Sequence, residues 1–122
     1  MITERVVFVE IAGVVRPGDN RITEVQGRML VGVMTTQLAL TGVSSLKQKR
    51  SIVKSVIGRL KSRFNVSISE VDRQDSKVVA VVAMAIVSND SRFIDQQFDS
   101  ILNFMRNDGR FYLSSTDREI FS

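Results

Sequence analysis

An α+β fold is predicted for residues 29–122, and three observations predict it. Apolar residues alternate with a period of two, then switch to helical spacing, and the switch happens twice along the chain. Capping and turn residues stand where the period changes. The segments Leu30–Leu40 and Lys77–Val87, first and third of the four strands, are apolar on both parities. The resulting order is βαββαβ. A split βαβ pair folds into a four-stranded antiparallel sheet with both helices on one face, the ferredoxin-like arrangement. Right-handed crossovers put the first and third strands in its centre, which suits their apolar character.

The elements follow in order. Leu30 to Leu40 reads as a strand, with Leu30, Met34, Leu38 and Leu40 on one parity and Val31, Val33 and Thr35 on the other. Thr41-Gly42 is a turn signal. Ser45 with Gln48 three residues later has the spacing of a capping box and starts a helix. Val53, Val56, Ile57, Leu60 and Phe64 give that helix one apolar face, and Asn65, tolerant of a left-handed cap, is expected to end it. Val66 to Val71 is a short strand, and Asp72 to Ser76 a polar hairpin connection. Lys77 to Val87 is expected to be buried on both faces. Ser88-Asn89-Asp90 supplies caps for a second helix, whose core face is Ile94, Phe98, Ile101, Leu102 and Met105. Asp108-Gly109 stops it. Arg110 to Leu113 begins a last strand that can continue to Phe121.

Residues 1–28 stand outside this unit as an N-terminal extension. Arg5 to Val15 has strand character, Arg16 to Asn20 is a turn, and Arg21 to Val25 is a return. That pattern fits a hairpin that extends the sheet or covers its open face. It fits equally a flexible leader, or upstream sequence before a start at Met29.

Composition narrows the function. At 43% hydrophobic and 25% charged over 122 residues, this is an ordinary single globular domain. There is no cysteine and no histidine. Disulfides, zinc sites and Cys/His or Ser/His/Asp nucleophile arrangements are thereby excluded. Glu70, Asp72 and Asp75 cluster near the hairpin connection, but aspartate is an ordinary turn residue. Glu70 shares the parity of Val66 and Ile68, which should face the helices, and a carboxylate there wants a basic partner from the first helix. No catalytic residue, metal or cofactor is expected, and the chain reads as a non-enzyme. No apolar run reaches the roughly 18 residues that span a bilayer. Met1 to Val15, interrupted by Glu4 and Glu10, lacks the layout of a signal peptide. The expected location is the cytoplasm.

The positive charge is concentrated. Lys47, Lys49, Arg50, Lys54, Arg59, Lys61 and Arg63 lie between Ser44 and Phe64 with no acid among them. The chain has 17 basic and 13 acidic residues, so outside this segment ten bases face thirteen acids. A solvated helix face ordinarily mixes signs, because opposite charges at i,i+4 stabilise it. Lys47, Lys49 and Arg50 also stand in the first turns, where the helix dipole disfavours cations. Stability alone does not call for this pattern, whereas a polyanionic partner does. Ser45, Lys47, Lys49, Arg50, Lys54 and Lys61 form the candidate anion-binding set. RNA is the expected polyanion, since a linear stripe suits a backbone better than one small ligand. The alternative is a dimeric regulatory module that holds a small anion at the helix start, where Ser44, Ser45, Lys47 and Arg50 converge on free backbone N–H groups. The central strands carry no aromatic residue, so bases are not expected to stack on the sheet.

Val31 and Val33, with one parity of the third strand, make the face without helices apolar, which ordinarily marks an interface. A homodimer through this open face is expected, with residues 1–28 as the other possible cover.

Three blocks carry a family resemblance. They are Ser45-Leu46-Lys47-Gln48-Lys49-Arg50, then Arg63-Phe64-Asn65-Val66-Ser67 running into Glu70-Val71, then Val87-Ser88-Asn89-Asp90. Together they resemble the YlxP-like family of small bacterial proteins, over roughly Met29 to the end. The first 28 residues depart from that pattern, which begins near Met29. The resemblance implies a ferredoxin-like fold. Genes of that family tend to lie beside translation-initiation and ribosome-maturation genes. It therefore implies ribosomal RNA or an assembling ribosomal particle as the polyanion. It brings no catalytic residue.

Overall fold

A computed structural model describes residues 29–122. The N-terminal extension proposed from the sequence lies outside the described residues. The strands are β1 (Leu30–Leu40), β2 (Ser67–Asp72), β3 (Val79–Ser88) and β4 (Phe111–Phe121), and the helices are α1 (Leu46–Arg63) and α2 (Ser91–Arg106). All strand pairs are antiparallel, and their order across the sheet is β2-β3-β1-β4. This is the ferredoxin-like βαββαβ fold, with β1 and β3 in the centre as expected.

The core lies between the sheet and the two helices. Strict alternation along β1 buries Leu30, Met34, Leu38 and Leu40 on the helix side, and β3 contributes Ala80, Val82, Met84 and Ile86. Thr36 is the one buried hydroxyl of β1, and its Oγ1 donates to the carbonyl of Val82 at 3.3 Å, so burial leaves no donor unpaired. β3 is not buried on both faces as predicted. Val79, Val81, Ala83 and Ala85 are only half-buried and Val87 is 67% exposed, because both helices lie on the opposite side. The parity left ambiguous by the sequence is thus resolved: Val31 and Val33 share the open face with the odd-numbered residues of β3. Phe121, paired with Val31, is buried at one corner of that face.

α2 packs the more closely of the two helices. Its five predicted core residues, Ile94, Phe98, Ile101, Leu102 and Met105, are all buried. Full burial of such side chains is worth about 1.5–3 kcal/mol each in transfer free energy. Gly32 of β1 is what lets the helix come near. A Cβ at that position would fall inside contact distance of Ile94 Cγ2 and at 3.0 Å from Phe98. The Asp90 side chain caps α2 by accepting from the N–H of Arg92 at 2.9 Å. On the outer side, Arg118 of β4 lies 5.5 Å from the centroid of Phe98. Its guanidinium donates to Asp95 and Asp99 of α2 at 3.3 and 2.9 Å.

α1 differs from its prediction at both ends. Ser45 is the N-cap and its Oγ accepts from the N–H of Gln48 at 3.1 Å. The reciprocal half of the box is displaced by one residue: Gln48 Oε1 accepts from the N–H and Oγ of Ser44 at 3.0 and 3.2 Å. The helix ends on Phe64 in an extended conformation (φ −129°), whose N–H still bonds to the carbonyl of Leu60, so no left-handed cap at Asn65 is used. The core face holds Ile52, Val53, Val56 and Leu60, with Ile57 and Phe64 half-buried beside it. β3 begins at Val79, two residues later than predicted, since Ser76 Oγ accepts from the N–H groups of Val78 and Val79 and holds the chain in the bend. β4 runs its full possible length to Phe121, with a register shift opposite Gln37 and Leu38. No helix among the described residues is long and apolar enough to cross a membrane.

Candidate functional site

α1 carries its cations in three different ways. Lys47, Arg50, Lys54 and Lys61 are exposed. At about 100° per residue they fall on one stripe, roughly 110° around the helix from the buried Val53, Val56 and Leu60. From Lys47 to Lys61 the stripe is about 21 Å long at ~1.5 Å per residue. The residues between its cations are small, with Ser51 and Gly58 exposed and Ser55 half-buried. The ion pairs among the described residues use Lys49, Arg110 and Arg118, and none of these four stripe residues.

Arg63 lies toward α2, and Arg59 is near the loop that follows it. The Arg63 guanidinium lies 4.7 Å from the centroid of the Phe104 ring. Phe104 in turn meets Phe64 edge to face at 6.4 Å. Arg59 is near enough to Asp108 to help hold its carboxyl below the usual carboxylate range. The main cause of that shift is the hydrogen bond to Arg110, with burial of Asp108 opposing it.

The third way is a correction to the predicted set. Lys49 is not part of an exposed anion site. It is fully buried, with 0% of its surface accessible. Its Nζ donates to Glu70 Oε2 at 2.7 Å, to the carbonyl of Arg73 at 2.9 Å and to the carbonyl of Gln74 at 3.3 Å. An ammonium group has three protons, so all of its donors are taken. Burying a cation without such partners would be prohibitive. The acceptors come from one short stretch, the end of β2 and the β2–β3 turn. Arg73 there holds a left-handed backbone (φ 60°), rare for a residue with a side chain. Its N–H donates to Asp72 Oδ1 at 2.8 Å, and the turn directs the Arg73 and Gln74 carbonyls at Lys49. The expectation that Glu70 faces the helices and takes a basic partner from α1 is met by this residue. Two sequence signals mark Lys49 off from its neighbours. It lies at i, i+4, i+7 and i+11 with Val53, Val56 and Leu60, on the apolar face, and Glu70 lies on the inner parity of β2.

The start of α1 opens onto a shallow cleft of about 500 Å³, lined by Thr41, Ser45, Lys47, Gln48, Ser51, Ile52 and Arg110. The first four N–H groups of a helix have no intrahelical partner. Here that of Gln48 is taken by Ser45, and both donors of Ser44 are taken by Gln48. Ser44 therefore does not contribute to an anion site as the sequence suggested. Arg110, across the cleft, is held by Asp108 through bonds of 2.6 and 2.7 Å. Among the described residues, no group of three or more acidic side chains is placed to hold a metal ion.

A small ferredoxin-like domain with a cationic helix on its outer layer is the class these features define. The sequence family described as "Protein of unknown function (DUF503)" matches residues 31–118, and the chain belongs to that family. It is 29% identical over 76 residues to the "Uncharacterized protein YlxP" of Bacillus subtilis (strain 168), across 62% of this chain and 83% of that protein. The region matched by the family covers both helices, β2 and β3 whole and most of β1 and β4, and the YlxP-like resemblance read from the three blocks is met.

Proposed function

We propose that this is a non-enzymatic, cytoplasmic RNA-binding protein, acting in ribosome maturation or translation, that holds an RNA backbone on the exposed stripe of α1. The observation that carries the reading is the row Lys47, Arg50, Lys54 and Lys61: exposed, of one sign, and outside the ion pairs of the described residues. Maintaining like charges along one helix face lowers helix stability. No acid stands in the first turn of α1 to offset the dipole. A phosphate backbone turns both costs into binding energy through counterion release. Lys49, withdrawn into the interior, has no part in the contact, so the binding set is Ser45, Lys47, Arg50, Lys54 and Lys61.

Filter binding of ribosomal RNA over a range of salt concentrations tests the reading. Replacing Lys47, Arg50 and Lys54 together by Gln should weaken binding about tenfold or more at low salt and flatten the salt dependence by roughly three in slope. Binding that is unchanged in the triple variant would sink the proposal.

The cleft of about 500 Å³ at the start of α1, with Lys47 and Arg110 on its rim, favours a second reading. In it, a small anion occupies the cleft and regulates the protein. Titration with inorganic phosphate and nucleotides, read as a rise in melting temperature, separates the two. A rise with no RNA retention favours the small ligand.

A further inference from the structure

We infer that the RNA bound by α1 is double-helical, a stem rather than an unpaired strand. The inference rests on the RNA reading above and adds the form of the ligand. Proteins that hold single strands combine a cationic groove with aromatic platforms on which unstacked bases lie. α1 offers the cations without the platforms. Among the described residues the exposed large aromatics are Phe93, 44% exposed, and Tyr112, 62% exposed. Phe93 is on α2, and Tyr112 is on β4, paired with Ala39 of the open sheet face. The one aromatic that α1 meets at its end, Phe64, is half-buried against Phe104. The one arginine stacked there, Arg63, is already on Phe104.

The geometry of the stripe agrees with this. Lys47, Lys54 and Lys61 recur every seven residues, about 10 Å of helix apart, and drift by only about 20° per step. They form a nearly straight row on a rigid element. Ser51 and Gly58 keep the surface between them low on one side of the row, and half-buried Ile57 flanks it on the other. A straight, rigid row of charges is matched by phosphates already fixed in a duplex. A single strand must be ordered to match it, and pays conformational entropy to do so. With no exposed aromatic beside the stripe among the described residues, recognition is chiefly by backbone charge and shape, which is how A-form stems are read.

The test is a comparison of two fluorescent RNAs of equal length, one a hairpin stem and one an unpaired strand, titrated with the full chain at several salt concentrations. The hairpin should bind about tenfold tighter or more. K47Q, K54Q and K61Q combined should remove that preference and lower the hairpin's salt slope by about 2.7, at roughly 0.9 per lost contact. These three positions are exposed, and removing like charges does not weaken the helix, so a urea midpoint that does not fall will accompany the loss. Equal or tighter binding of the unpaired strand overturns the inference and leaves the RNA reading standing. Failure to retain either RNA overturns both.

Discussion

The two helices lie on the same face of the same sheet, yet they are built on different terms. α2 buries five apolar residues, sits close over Gly32, and has its outward acids Asp95 and Asp99 bound by Arg118 of the neighbouring strand. Its two acids serve its own packing. α1 buries four apolar residues and one lysine, carries no acid, and places Gly58 in its exposed middle. Arg59 and Arg63 serve the contact with Asp108 and Phe104, but Lys47, Arg50, Lys54 and Lys61 take part in no ion pair of the described residues. The difference teaches where to look for a partner: α1 presents a row of four cations outside the ion pairs of the described residues, and α2 presents no such row.

Three substitutions sharpen that contrast. The largest effect is expected for Lys49→Met. It leaves Glu70 and two turn carbonyls without their common donor. Breaking a buried pair from one side costs roughly 3–5 kcal/mol. Glu70 is 17% exposed and can rehydrate in part, so about 3 kcal/mol is expected. Urea denaturation monitored by circular dichroism will show it as a lowered midpoint. A loss below about 1 kcal/mol would mean that the buried lysine is not what joins α1 to the β2–β3 turn. Gly32→Ala probes the other helix. Its new methyl group meets Ile94 and Phe98, and overpacking of this kind costs about 1–3 kcal/mol. The same measurement should give about 2 kcal/mol, and no change would show that α2 is less tightly seated than described. The smallest effect has the opposite sign. A Cβ at Gly58 meets nothing within 4 Å, so Gly58→Ala should stabilise by about 0.5–1 kcal/mol through helix propensity. A destabilised variant would contradict the open surroundings of that position.

How much of this was legible in the chain differs between the same two helices. The core face of α2 is legible residue by residue, since an apolar face at helical spacing has a single interpretation when the other face is polar. The βαββαβ order and the central pair of strands were legible for the same reason of periodicity. Lys49 shows its burial in the sequence only through its place on the apolar face with Val53, Val56 and Leu60, a signal that the surrounding basic run masks; what makes the burial tolerable is its tertiary partners. Those partners are carbonyls of a turn more than twenty residues away. A backbone acceptor has no signature in the sequence. The burial of β3 was overestimated because an apolar open face and a covered one have the same composition. The end of α1 was missed because Asn65 permits a left-handed cap without requiring one.

The withdrawal of Lys49 has a chemical corollary. Amine-modifying reagents attack the neutral, accessible amine. Lys47, Lys54, Lys61 and Lys77 are open to solvent, whereas Lys49 is inaccessible while Glu70 and the turn hold it. The described chain thus carries its own reference amine: one lysine whose acylation reports opening of the fold, beside four whose acylation reports what lies against the surface.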